Sequence, residues 1–497
     1  MFETRIPTNI NQGEFATIED IKRIGVKINY KSGKAGTGGV GMLSDGETAY
    51  ALDDDGFYLV VGSTGSKKTR NVVAPYIYNN ALAGNSMIIS DIKGDIYKLL
   101  VRSLRKLGYK IVVLNFNEPE KGDAYNPIQS IYRDYKGGKV DKANRELNNM
   151  SETIFQLVES KKVPFWHITS ANYYVGCELT LFNLFDESMA TIDNAFNLHI
   201  QGEKKIGGMT YMKDYYSDEE DSVAWKMMEA TVNAPNETRA SILSVFTSAL
   251  NKLIGQNQGL IKMMSHSTFE IRELIDEKTA VFIISNEESL SAHGNLIAAL
   301  IQQWYDNLVN IADSTNGVLK RNVVFVLDEF GNLPAIKDFQ MKVSLSRARG
   351  ISFMIVLQSF AQLELRYGKE VARTIIGNTA NWIYLFSPDL DILTHISNLC
   401  GEVTDEYTGQ TRKLLSINQL RHFQKNNEEG LTECLMLLGR MNPFVSYLPD
   451  IADYYGIEPI EELDIPAREE EKIEKINFDE IVEAKRMKKL QEMIEKK

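Results

Sequence analysis

The sequence predicts an α/β fold, a doubly wound core with a mostly parallel sheet, interrupted by an inserted all-α segment. Three observations carry that prediction. Short apolar runs with strand character alternate with helix-compatible segments, the pattern of parallel βαβ units. Several of these runs end in Gly or Asp, as strands do at the carboxyl edge of such a sheet, where ligands bind. From about residue 132 to residue 265 strand signals vanish and helical spacing takes over.

Composition sets the frame. A chain of 497 residues predicts two to four domains, at ~100–200 residues each. Hydrophobic content of 43% and charged content of 25% are globular values. The net charge of −12 argues against a generally basic nucleic-acid coat. It leaves room for a local basic channel, because neutralising phosphates takes only a few Lys and Arg. No apolar run reaches the ~18 residues of a membrane helix. The opening Met1-Phe-Glu-Thr-Arg-Ile6 lacks the basic-then-apolar order of a signal peptide. Cys177, Cys400 and Cys434 are isolated, which argues against a disulfide framework or a zinc site and for a reducing compartment.

The first 50 residues are polar and Gly-rich. Gly36 to Gly41 reads as a turn between short strands, since no Lys-Thr follows it. The apolar run Phe57 to Val61 then leads into Gly62-Ser63-Thr64-Gly65-Ser66-Lys67-Lys68-Thr69, followed by a helix-compatible segment. Strand, Gly-rich turn, Lys-Thr and helix is the order of a P-loop. The loop's N–H groups and the helix N-terminus favour phosphate. Lys68 reaches terminal phosphates and the Thr69 hydroxyl takes Mg²⁺, which points to a nucleoside triphosphate such as ATP. The pattern departs at position 67, where Gly is expected because it lets the backbone bend close to phosphate. Lys67 puts a side chain and a charge there instead.

Asn85 to Ser90 reads as a strand, followed by Asp91-Ile-Lys-Gly-Asp95, where Asp91 is either a sheet-edge ligand group or a helix cap. A helix over Tyr97 to Leu107 and a strand over Lys110 to Asn115 follow. In the helical stretch, Leu147, Met150, Ile154, Phe155, Leu157 and Val158 keep a helical period. Phe165-Trp166 is either a functional aromatic pair or core, and core is the commoner fate. The acidic run Asp214 to Asp221 reads as a solvated loop.

The α/β pattern resumes with a strand over Thr279 to Ser285 and a helix over Asn295 to Ile311. Val323 to Leu327 then ends in Asp328-Glu329, a Walker B pattern in which Asp328 holds Mg²⁺ and Glu329 polarises the attacking water. Arg347 and Arg349 precede the strand Ile351 to Leu357, and either is a candidate finger toward a neighbouring subunit. Gln358 at that strand's tip is a candidate for orienting water or sensing the terminal phosphate. Strands over Asn381 to Phe386 and Thr432 to Leu438 complete the core, with the loop-rich Gly401 to Asn426 between them. From Pro466 the chain is a charged helical tail. Its apolar Phe478, Ile481, Val482, Leu490 and Ile494 share one face, as in a solvated or partner-binding helix.

This ordered set resembles the type IV coupling proteins, the ATPases that deliver DNA to type IV secretion channels in bacterial conjugation, within the FtsK/HerA-like motor group. The likeness rests on Val61 to Asn71, Asp91 to Asp95, Asn126-Pro127, Phe165-Trp166, Leu327-Asp-Glu-Phe-Gly-Asn-Leu-Pro334, Arg347-x-Arg-Gly350, Gln358-Ser359 and Tyr367-Gly368. It implies a RecA-like P-loop domain in two parts (51–131 and 266–465), split by an all-α domain (132–265). An N-terminal extension (1–50) and the tail (466–497) flank them. It implies ATP and Mg²⁺ as ligands, with Gly62 to Thr69 around the nucleotide and Thr69 and Asp328 on the metal. Glu329 and Gln358 would act in catalysis, with Arg347 acting in trans and Arg349 as its alternative. The implied assembly is a homo-hexamer around single-stranded DNA at the cytoplasmic face of the bacterial membrane. Its implied partners are relaxase or relaxosome proteins and secretion-channel subunits. Most members begin with membrane helices, so a soluble variant, a separate membrane anchor and a truncated chain all stay open. Two other functions stay open as well. One is a scaffold whose turnover is weakened by Lys67; the other is a DNA-processing motor unconnected with secretion.

Overall fold

The computed structural model describes residues 13–33, 38–52, 56–155, 165–255, 257–404, 408–423, 425, 427–439, 441–469 and 472–495. Gly36, Leu157, Val158 and Asn426, on which sequence readings above touch, lie outside the described residues. Strands β1 (Gly25–Asn29), β2 (Gly41–Ser44) and β3 (Thr48–Leu52) form a small antiparallel sheet in the order β1-β3-β2. The central sheet begins with β4 (Phe57–Val61), β5 (Ser86–Ile92) and β6 (Lys110–Asn115). Its next strand comes only after a long helical stretch, broken by the two-residue strands β7 (Lys205–Ile206) and β8 (Met209–Thr210). Then follow β9 (Thr279–Ser285), β10 (Val323–Leu327), β11 (Ile351–Leu357) and β12 (Asn381–Tyr384). A short hairpin of β13 (Glu402–Thr404) and β14 (Thr411–Lys413) precedes β15 (Thr432–Leu438) and β16 (Phe444–Leu448).

The central sheet has nine strands in the order β16-β15-β12-β4-β11-β10-β5-β9-β6. All neighbours from β12 to β6 are parallel, and β15 alone runs against them, pairing antiparallel with both β12 and β16. This is the mostly parallel α/β sheet that the sequence predicts. Parallel strands covered on both faces read as unbroken apolar runs, and β4, β9, β10 and β11 are buried along their whole length. Alternation divides them between two cores. Leu59, Val61, Phe325 and Phe353 face one layer, and Tyr58, Val60, Val324 and Met354 face the other.

The first layer contains the helices between β6 and β9 and a long helix over Glu287–Ser314. That helix begins eight residues before the sequence predicts. Its first turn is polar, and Asn286 caps it through a reciprocal pair with Ser289, each hydrogen bond 2.8 Å long. The second layer holds the β1–β3 sheet and the helix Asp95–Lys106. The sequence reading misses β16, because Pro443 immediately before it looks like a break. The strand is a sheet edge, where such a neighbour is tolerated.

Two further expectations change. Phe165 and Trp166 are not core. They stand 59% and 38% exposed at the start of the helix Phe165–Leu184. The tail helix Phe478–Glu495 is neither free nor solvated throughout. Phe478 and Val482 are buried, and Phe478 N–H donates to Gln201 Oε1 at 2.6 Å. Lys485 reaches Glu219 at 2.6 Å and Asp218 at 2.9 Å, which docks the tail on the helical segment. Leu490 and Ile494 stay exposed. Among the described residues no helix is long and apolar enough to cross a membrane.

Candidate functional site

The register of the parallel strands brings the motif residues to one edge. Val61 of β4 pairs with Leu357 of β11, and Leu327 of β10 pairs with Ile355 of β11. Gly62, Gln358 and Asp328, each one step beyond its strand, therefore emerge side by side at the carboxyl ends. β11 lies between the other two strands, so Gln358 stands between the loop after β4 and the acid pair after β10.

The loop is held at its root by Gly62 N–H donating to Leu357 O at 3.2 Å and Ser63 N–H donating to Phe386 O at 2.7 Å. The ammonium of Lys68 donates back to the carbonyls of Gly62 at 2.6 Å and Ser63 at 3.0 Å. Ser66 Oγ also bonds Ser63 O, at 2.8 Å. After Thr69 the chain makes one wide π-type turn, Thr69–Val73, before the regular helix Ala74–Ala83. Pro75 explains the change of winding, since it has no N–H to offer the preceding turn.

Five non-glycine residues have positive φ among the described residues, and three of them line one cleft: Lys67 (64°), Lys93 (78°) and Glu329 (52°). Such backbone costs about 1–3 kcal/mol each and tends to collect at functional sites. Lys67 takes the left-handed conformation that suits the Gly of the usual pattern. The cleft has a volume of about 640 Å³ and also exposes Thr64, Lys68, Thr69 and Asp328. A second cavity of about 510 Å³ adjoins it across Thr64, Lys93 and Glu329, and it is walled by Gln358, Asn332, Arg366 and Lys252.

Hydrogen bonds connect the predicted residues directly. Thr64 Oγ1 donates to Gln358 Oε1 at 3.1 Å. Gln358 Nε2 donates to both carboxylate oxygens of Glu329, at 2.7 and 2.6 Å. Thr69 Oγ1 is 3.5 Å from Asp328 Oδ2, and Glu329 N–H donates to Asp328 Oδ1 at 3.0 Å. Burial and the neighbouring Glu329 raise Asp328 to a pKa of about 6, against the pull of Lys68. Burial lowers Lys68, while the charges of Glu329 and Asp328 oppose that shift. One carboxylate beside one hydroxyl, next to a loop that offers phosphate ligands, is the donor set Mg²⁺ takes in phosphoryl-transfer sites.

Arg347 is not brought to this cluster within the chain. It lies exposed before the amino end of β11, a strand of seven residues, which puts it about 20 Å of rise from Gln358. Arg349, its alternative, pairs with Asp313 at 3.0 Å. Asp91 takes the capping role. It is fully buried and accepts from Ile96 N–H at 3.1 Å and Tyr97 N–H at 2.7 Å. Sequence reasoning missed Asn332, whose Nδ2 lies 3.4 Å from Glu329 Oε2. Its place in the stretch Leu327 to Pro334, three residues after Glu329 around a tight turn, is the signal for it.

Residues 10–438 match a protein-family model described as Type IV secretory system Conjugative DNA transfer. The chain is 25% identical to Protein VirD4 of Rhizobium rhizogenes over 393 residues, covering 77% of this chain and 53% of that protein. It thus spans about half the length of the curated relatives it matches over that range. Among solved structures it is similar to the bacterial conjugative coupling protein TrwBdeltaN70 in complex with sulphate. The TM-score is 0.67 at 16% identity, covering 90% of this chain and 96% of that one. The plasmid coupling protein TrwB in complex with the ATP analogue ADPNP gives a TM-score of 0.64 at 16% identity, over 93% of this chain and 96% of that one. At such identity these two structures establish the shared fold.

Proposed function

The chain belongs to the family of type IV secretory system conjugative DNA transfer proteins, and on that premise we propose that it is an ATP-dependent coupling protein. In this reading it recruits DNA with its relaxase and drives single-stranded DNA into a type IV secretion channel. The observation that carries the reading is the position of Gln358. It touches Thr64 of the phosphate loop on one side and the acid Glu329 on the other.

The chemistry follows from that arrangement. Lys68 and the loop N–H groups bind the triphosphate, whose negative charge replaces the carbonyls now held by Lys68. Thr69 and Asp328 would hold Mg²⁺, which supplies charge neutralisation to the phosphate oxygens. Glu329, fixed by Gln358, takes the proton of the attacking water. Arg347 or Arg349 would complete the site of a neighbouring subunit in a hexamer, since neither lies beside the loop of its own chain. TrwB, which shares the fold, has been solved with an ATP analogue. Attachment to the cytoplasmic face of the membrane, through a separate anchor or a further segment, belongs to the same proposal.

A second reading is supported by one observation. Lys67, in a left-handed conformation within the loop, favours a relative that binds cargo and channel but turns ATP over slowly. ATPase assays of this chain and of Lys67→Gly, with and without single-stranded DNA, separate the two. DNA-stimulated turnover by the native chain supports the motor. Turnover that emerges only in Lys67→Gly supports the scaffold.

A further inference from the structure

The 640 Å³ cleft does not end at the phosphate loop. Past Thr69 its lining continues with Arg70, Asp95, Lys98 and Leu99 to Pro459 and Ile460, so apolar side chains join the charged ones there. Pro459 and Ile460 lie beyond residue 438, where the family match ends, so that match assigns them nothing. They are held firmly against the helix Asp95–Lys106. Ile460 N–H donates to Lys98 O at 2.9 Å. Ser103 Oγ donates to Gly456 O at 3.1 Å, and Tyr97 OH to Asp464 O at 3.0 Å. Leu463 packs so closely on Gly94 that a Cβ there would meet its side chain at 2.7 Å. Arg70 is fixed by a two-pronged ion pair to Asp450, at 2.6 and 2.7 Å.

We infer that the segment 459–460 is the nucleoside wall of the cleft, with Leu99, Pro459 and Ile460 covering the base of a bound nucleoside triphosphate. The inference rests on the nucleotide reading above. Its direction comes from the geometry of displacement at phosphorus, in which water and leaving group lie in line on opposite sides. Glu329 and Gln358 define the side of the water, and the adjoining cavity opens there. The leaving diphosphate and its nucleoside must then run the other way. Two places with apolar side chains border the loop. One is the Leu99–Pro459–Ile460 end of the same cleft. The other is a cavity of about 290 Å³ between the loop and Phe386 and Phe423, which does not reach Lys68, Thr69 or Asp328. Both border the loop at Thr64 to Ser66, and of the two the first alone also reaches Lys68, Thr69 and Asp328. Small-molecule sites pair an apolar wall with a few placed polar groups, and a wall fixed beforehand binds without an ordering cost.

The test compares Mg²⁺–ATP with Mg²⁺–tripolyphosphate, which has the phosphates without the nucleoside. Binding of each is measured by calorimetry to the native chain and to Ile460→Asp, Ile460→Ala and Phe423→Ala. The inference predicts ATP binding about tenfold weaker in Ile460→Asp, a smaller loss in Ile460→Ala, and no change in Phe423→Ala. Tripolyphosphate binding stays as in the native chain throughout, which also reports an intact loop. Unchanged ATP affinity in both Ile460 variants overturns it, as does a loss confined to Phe423→Ala or a parallel loss of tripolyphosphate. If the native chain binds neither compound, the nucleotide reading itself fails. That result is distinct from native-like binding by the Ile460 variants.

Discussion

Gln358 grips Glu329 with one amide nitrogen, 2.7 and 2.6 Å from the two carboxylate oxygens, while its own oxygen accepts from Thr64. A carboxylate held this way has a set orientation, and its hold is connected to the phosphate loop. In Gln358→Ala the carboxylate loses that support, and ATP turnover falls ~10²–10³-fold, with ATP affinity nearly unchanged. Steady-state hydrolysis and equilibrium binding check the two halves separately. A loss of affinity without loss of kcat would assign Gln358 to ground-state binding alone.

Lys67 offers a test of backbone strain. At a φ of 64° a residue with a Cβ is disfavoured by about 1 kcal/mol relative to Gly. Lys67→Gly is therefore expected to be more stable than Lys67→Ala by about 1 kcal/mol in urea unfolding, since only Gly relieves the conformation. It is also expected to raise turnover above that of the native chain. Equal stability and equal turnover in both variants would mean that the loop accommodates Lys67 at no cost.

A buried acid in the helical segment governs a pH response. Glu178 is fully buried, with Tyr174 OH donating to its Oε1 at 2.7 Å and no hydrogen-bond partner for Oε2 among the described residues. Burial pushes its pKa up to about 8, from 4.5. Between those values the native state binds a proton that the unfolded state does not. Stability from this group therefore falls as pH climbs through that window, and the loss is complete above about 8. Glu178→Gln keeps the acceptor for Tyr174 without the ionisation. Its melting temperature should exceed that of the native chain by at least about 2 °C at pH 9, and by little at pH 5. A constant difference at both pH values would contradict this account.

The docked tail makes a structural prediction. Phe478 is fully buried against the helical segment. Phe478→Ala removes an interaction in the range of about 3–5 kcal/mol, more than an isolated helix of this length can replace. Amide exchange over 478–495 should accelerate strongly, while exchange in β4, β10 and β11 stays slow. Unchanged protection of the tail would show that its polar contacts, those of Lys485 and the Gln201 bond among them, hold it without the Phe478 ring.

Much of this is legible in the sequence, for identifiable reasons. β6, β9, β10, β11 and β15 match the apolar runs at their ends, because strands buried on both faces carry an uninterrupted signal. The convergence of Thr64, Lys68, Asp328, Glu329 and Gln358 follows from strand order, which turns separate motifs into one sheet edge. What the sequence does not display depends on long-range packing. Asp91 reads equally as ligand group or cap until the helix N-terminus is placed above it. Phe478 and Val482 have an apolar face but no visible partner. Pro459 and Ile460 carry no motif at all, and only the fold sets them at the cleft.

The central claim is that the Thr64–Gln358–Glu329 edge hydrolyses ATP in the service of DNA movement. The most direct measurement is ATP hydrolysis by the chain and by Lys68→Ala, with and without single-stranded DNA. The account predicts hydrolysis that rises with single-stranded DNA and disappears in Lys68→Ala, together with nucleotide binding. No hydrolysis under any condition, with nucleotide binding unchanged in Lys68→Ala, would contradict it.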